Sequence, residues 1–121
     1  MIDACAILEK ALEETGLAWA EEKYCGTAKK YVVYIEELQD EFSYADNLPV
    51  DDITYFQIHY FCPLFPKDKE DSKEAVRKIK KILRRYGFSF NGGTQRRREE
   101  EKWRHAVFHC NILTSNEERK D

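Results

Sequence analysis

The stretch TYFQIHYFCPLF, residues 54–65, sets five aromatic residues, one histidine and one cysteine in twelve positions. Read at the two-residue period of a β-strand, it separates into two sides. Phe56, Ile58, Tyr60 and Cys62 fall on one; Tyr55, Gln57, His59 and Phe61 fall on the other. The first set is apolar and suits a core. The second mixes rings with hydrogen-bonding groups and suits a wetter surface. WRHAVFHCNIL, residues 103–113, divides alike: Ala106, Phe108, Cys110 and Ile112 against Val107, His109 and Asn111. Two strands with one apolar side each need a second layer to cover it.

Two amphipathic stretches can supply that layer. In residues 3–14, Ala4, Cys5, Leu8, Ala11 and Leu12 recur at helical steps, with Asp3 as a cap and Gly16 as a stop. In residues 72–86, Val76, Ile79, Leu83 and Tyr86 form the stripe, Asp71 and Glu74 form a capping box, and Gly87 ends the helix. YVVYIEEL, residues 31–38, is β-branched and aromatic and reads as a further strand. Brief strands are expected near Trp19 and Phe88, a long turn over residues 40–52, and a turn at Gly92-Gly93. The expected fold is α+β: a two-layer sandwich of three to five mainly antiparallel strands with two helices on one face, in the order α-β-β-α-β. Residues 1–113 make one domain and residues 114–121 a flexible polar tail.

The totals restrict function. Charged residues are 36% of the 121, yet the net charge is only −3, unlike the basic balance of a dedicated nucleic-acid binder. No apolar run reaches the roughly 18–20 residues that cross a bilayer, so no membrane partner is expected. The N-terminus carries acids where a secretion signal starts basic, which points to an intracellular chain. Cys5, Cys25, Cys62 and Cys110 form no CxxC pair; buried reduced thiols are the simplest account, against a disulfide or metal role. His59 and His109, with His105 nearby, lack an obvious third ligand, so neither metal nor cofactor is expected; a histidine pair on a wet or subunit-facing surface would add pH sensitivity near about pH 6–7. There is no GxSxG, P-loop or HExxH, and the expectation is a protein without enzymatic activity.

Charge is sorted along the chain. Residues 36–52 hold Glu36, Glu37, Asp40, Glu41, Asp46, Asp51 and Asp52 with no Lys or Arg. Residues 72–86 hold seven cations, among them Arg77, Lys80 and Arg84, with Glu74 as the only acid. Two solvated faces would explain this. So would assembly, with Asp46, Asp51 and Asp52 of one copy meeting Arg77, Lys80 or Arg84 of the next. Tyr44 and Leu48, set among these acids, are candidate docking side chains for the chain itself or for a partner, and His59 joins the candidate interface from the strand.

The ordered set of SYADNLPVDDITYFQIHYF, a basic helix ending RRYGF, and WRHAVFHCNI resembles the small tail-terminator and tail-completion proteins of long-tailed phages and prophages. The resemblance spans residues 1–113. It implies an α+β virion subunit that assembles as a ring, commonly a hexamer. Such a ring caps the tail tube, meets the head–tail connector, and is built in the bacterial cytoplasm before residing in the virion tail. Where that family tends to place a compact glycine-containing turn before the last aromatic residue, this chain has RRREEEKW. A stopper or other neck protein, or a small nucleic-acid-binding module using the basic helix, are the alternatives.

Overall fold

The computed structural model describes residues 3–43, 49–63, 68–99 and 103–115. Seven elements follow in order: α1 (Ala4–Glu14), β1 (Ala18–Glu21), β2 (Tyr31–Ser43), β3 (Pro49–Pro63), α2 (Asp68–Arg85), β4 (Ser89–Glu99) and β5 (Trp103–Ser115). One five-stranded sheet has the order β1-β2-β3-β5-β4; β1 lies parallel to β2 and every other neighbouring pair is antiparallel. The fold is α+β, with two helices and a mixed sheet.

The helix ends follow from local chemistry. Asp3 caps α1 by accepting the Cys5 N–H at 3.0 Å, a contact worth about 1 kcal/mol. Gly16 then takes a positive φ of 75° and turns the chain. At the end of α2, Gly87 has φ 99°, its N–H reaches the Arg84 carbonyl, and the Phe88 N–H reaches the Leu83 carbonyl, both at 3.1 Å. This is the paired C-terminal bonding that a left-handed residue permits, and Leu83 and Phe88 are both buried behind it.

The strand pattern sorts as its alternation requires. Phe56, Ile58, Tyr60 and Cys62 are at most 1% exposed, and with Ala106, Phe108, Cys110 and Ile112 they form the core beneath the helices. From α1 come Leu8, Ala11 and Leu12; from α2 come Val76, Ile79, Ile82 and Leu83. Phe56 sits at the centre, edge-on to Tyr34 at 6.0 Å and to Phe88 at 6.1 Å.

Four sequence expectations are corrected. Residues 40–52 are not one long turn: β2 and β3 pair from Tyr31↔Phe61 as far as Ser43↔Pro49. Pro49 is tolerated because it is the first residue of its strand, where a missing N–H costs little. Helix α2 begins at Asp68, so Asp71 lies inside it rather than capping it. Acids are favoured in a helix's first turn by its dipole, which lets a run of Asp and Glu imitate a cap. Gly92-Gly93 do not end a strand. They lie in a bulge of β4, between the pairs Asn91↔His109 and Gln95↔Val107, with Gly92 at φ 71°. Gln95 to Glu99, after them, continue as strand against β5. Finally, Thr114 and Ser115 belong to β5, and Thr114 is buried, so the polar tail does not start at residue 114; residues 116–121 lie outside the described residues.

Candidate functional site: the helix-free face of the sheet

The face turned away from the helices is built from the other half of the alternation. Registers across β2, β3, β5 and β4 put its positions in rows: Tyr31, Phe61, His105 and Arg97; Val33, His59, Val107 and Gln95; Ile35, Gln57, His109 and Asn91. The first row is a ladder of rings. Tyr24 stacks on Tyr31 at 4.4 Å, Tyr31 on Phe61 at 4.9 Å, and Phe61 on His105 at 4.3 Å. His59 joins diagonally, 4.8 Å from His105. Interplanar angles of 10–22° make the stack nearly continuous. Such pairs add about 0.5–1.5 kcal/mol each beyond the area they bury.

A polar chain crosses the same face. His59 Nε2 faces Gln57 Oε1 at 2.5 Å, and His59 Nδ1 faces His105 Nε2 at 2.6 Å. Gln57 Nε2 makes the longest link, 3.5 Å to Glu37 Oε2, while Glu37 Oε1 accepts from His109 Nδ1 at 2.9 Å. The amide sets the direction. Since its nitrogen donates to the carboxylate, its oxygen accepts the His59 Nε2–H. A neutral His59 then presents a bare Nδ1, which takes the Nε2–H of His105. The bonds of five side chains on three strands therefore converge on the Glu37 carboxylate, from His105 through His59 and Gln57 on one side and from His109 on the other. His109 and Glu37 are each about one-third exposed (36% and 35%), so their contact is worth at most about 1 kcal/mol.

The ladder is closed at its β2 side by the loop after β1. Glu22 takes φ 62°, and the Lys23 N–H bonds the Glu21 carbonyl at 2.6 Å. This is a tight three-residue turn with a strained centre. It throws the chain off the sheet edge and returns Tyr24 onto Tyr31, where the Tyr24 hydroxyl accepts the Ala28 N–H at 2.9 Å. Between loop and ladder lies an open concavity of about 340 Å³, lined chiefly by Tyr24, Tyr31, Val33, His59, Phe61 and His105.

Of the candidate interface residues named from sequence, the structure places only His59 here, and His109, its expected companion on this face, lies here too. Arg77, Lys80 and Arg84 lie on α2, across the sheet. Lys80 Nζ sits 5.4 Å and 5.1 Å from the Phe90 and Phe108 ring centres, and the Arg84 guanidinium 4.9 Å from Phe90, so both fold onto rings of their own chain. Arg77 is well exposed and 3.8 Å from Glu74. The positions of Asp51 and Asp52 are in β3, opposite Phe42 and Glu41, but their side chains lie outside the described set. Tyr44, Asp46 and Leu48 lie outside the described residues altogether.

Sequence reasoning missed Glu37, Gln57 and Tyr24 as members of the site, and did not place His105 in the ladder. Period-two alternation in β3 and β5 puts Gln57 and His105 on this face. Glu37 arrives through a register shift between Glu36 and Leu38, and Tyr24 through a loop; neither has a periodic signal. Among the described residues no cluster of three or more His, Cys, Asp or Glu could hold a metal ion.

On the helix side, the thiols of Cys5 and Cys110 have raised pKa values. Cys5 Sγ donates to Glu36 Oε1 at 3.1 Å; burial first, then this carboxylate, pushes its pKa up to about 12. Burial pushes Cys110 up to about 12 as well. Tyr34 is raised by burial and by donating its hydroxyl to Glu9. Compared with known protein families and with curated proteins, the chain matches none.

Proposed function

We propose that this chain is a structural subunit that assembles with copies of itself, of the tail-terminator kind, without enzymatic activity. In this role it closes a ring on the end of a phage or prophage tail tube, stops the tube's growth and offers the head–tail connector a different surface. It works by geometry: one side of the ring matches the last tube layer and the other does not repeat it. The partners are further copies, the tube protein and the connector, and the protein resides in the virion tail after assembly in the bacterial cytoplasm. The observation that supports this most is the sheet's helix-free face. Its ring ladder and polar chain fix a shaped, half-buried surface across three strands, and aromatic residues are enriched where protein surfaces meet.

The test is mass in solution, by sedimentation across a concentration series, with the chain alone and with the tail-tube protein of the same genome, followed by electron microscopy of any large species. Closed rings, or capped tubes of limited length, are expected. A chain that remains a monomer in both settings, or that shifts DNA or RNA at low salt, counts against the proposal.

A further inference from the structure

Among the described residues, the five-stranded sheet has two open edges that differ in charge. On one side β1 covers only Tyr31 to Tyr34 of β2. The turn at Glu22 then carries the chain away, and among the described residues no strand pairs with the outer side of β2 over residues 35–43. Those nine positions include Glu36, Glu37, Asp40 and Glu41 and no cation. On the other side β4 is terminal in the sheet order, and its eleven residues include Arg96, Arg97 and Arg98 with Glu99 as the only acid.

An open strand edge is a row of unpaired main-chain donors and acceptors, and proteins guard such edges with charge. Here the guarding is selective. Two β4 edges bring together two strands of net positive charge, and two β2 edges bring together two strands whose only charged groups are carboxylates. Only β4 against β2 brings opposite charges together. The sequence thus disfavours both symmetric pairings and favours the head-to-tail one, and head-to-tail contacts generate rings when the rotation closes.

Strand direction agrees. Following the antiparallel registers from β2 through β3 and β5, β4 runs opposite to β2. Copies related by rotation about an axis along the strands keep their directions, so β4 meets the next copy's β2 antiparallel, the more stable arrangement. The heights differ: Arg97 is level with Tyr31 and Ser89 with Leu38. Reaching residues 35–43 takes a rise of about five residues, roughly 17 Å, over four strand spacings of roughly 19 Å. That slope is a strand tilt of about 40°, the tilt at which closed sheets are built.

We infer, resting on the subunit proposal above, that copies join edge to edge: β4 of one copy adds to residues 35–43 of β2 in the next, with the arginine-bearing edge against the carboxylate-bearing edge. Hydrogen exchange and charge reversal test this together. In the assembled wild-type chain, alternate amides in residues 35–43 and 89–99 gain protection that the monomer lacks. In that register Arg96, Arg97 and Arg98 come level with residues 35–37, so Arg96→Glu/Arg98→Glu and Glu36→Lys/Glu37→Lys, each checked for an unchanged helix and strand spectrum, stay monomeric alone. Their equimolar mixture regains assembly with the two chains alternating 1:1, because both mixed junctions bring opposite charges together: arginines on carboxylates, and the introduced glutamates on the introduced lysines. Wild-type assemblies whose two edges remain open to exchange, or variants that assemble as the wild type does, overturn the edge junction while leaving the subunit proposal standing. A wild-type chain that never assembles, with or without tube protein, overturns both.

Discussion

His105 is 6% exposed, its ring lies flat between Phe61 and His59, and its Nε2 faces the His59 nitrogen. Ring and nitrogen make separable contributions. His105→Ala removes both and is expected to lower stability by about 2 kcal/mol in urea unfolding. His105→Phe keeps a flat ring in the stack and should recover most of that loss. Equal losses in the two variants would place the stabilisation in the nitrogen rather than the ladder. The cysteines give a prediction of the opposite kind, on the helix side. Cys110 is fully buried and its pKa is raised from 9.0 to about 12. A thiol whose folded pKa lies above its unfolded one keeps the folded chain protonated while the unfolded chain ionises. Its contribution is therefore whole below about pH 9 and is lost as pH rises toward 12. Cys5 and Tyr34 act in the same direction. Stability should fall with pH above about 9, and Cys110→Val should flatten the fall. In native protein at neutral pH, exposed Cys25 should be alkylated first, and Cys62 and Cys110 only on unfolding.

At the scale of elements, the ends of α2 show what a sequence discloses and what it conceals. The C-terminal end was legible because Gly87 has one job, a positive φ that L-residues avoid. A Cβ there would meet only the Ile112 Cδ1 at 3.8 Å, so Gly87→Ala should cost the conformational penalty alone, about 1–2 kcal/mol, read as a lower thermal midpoint. A much larger loss would mean that packing against Ile112 is disturbed as well. The N-terminal end misled because Asp and Glu serve equally as caps and as first-turn residues. The same ambiguity hid β4. Gly-Gly reads as a turn and an arginine run as solvated coil, yet the glycines are passed over as a bulge and β5 offers Arg96, Arg97 and Arg98 pairing partners beyond it, and pairing is decided by the neighbour rather than by the strand itself. The central strands were legible because each has a dry side and a wet side. That alternation correctly put Cys62 and Cys110 under the helices and His59 and His109 opposite them. It could not reveal that His59 would bond His105, because diagonal contacts depend on a register that no single strand encodes.

For the whole molecule, the two helices cover one face of the sheet and leave three features to meet the outside: the helix-free face and two charged edges. Charge and main-chain bonding should then act at different stages of assembly. In the proposed edge-to-edge assembly, opposite charges steer copies together over a Debye length, about 8 Å at physiological salt and about 3 Å at 1 M. Strands so paired would be held by ladder hydrogen bonds that salt hardly screens. Raising salt should therefore slow association strongly and speed dissociation little, as measured by stopped-flow mixing and by dilution of preformed assemblies. Reversing Arg77, an exposed cation on α2, should leave both rates nearly unchanged, because it stands on the helix layer rather than at an edge. Should Arg77→Glu slow association as much as Arg96→Glu/Arg98→Glu, the steering surface is the basic helix, and the acidic stretch of residues 36–52 docks there instead of on β4.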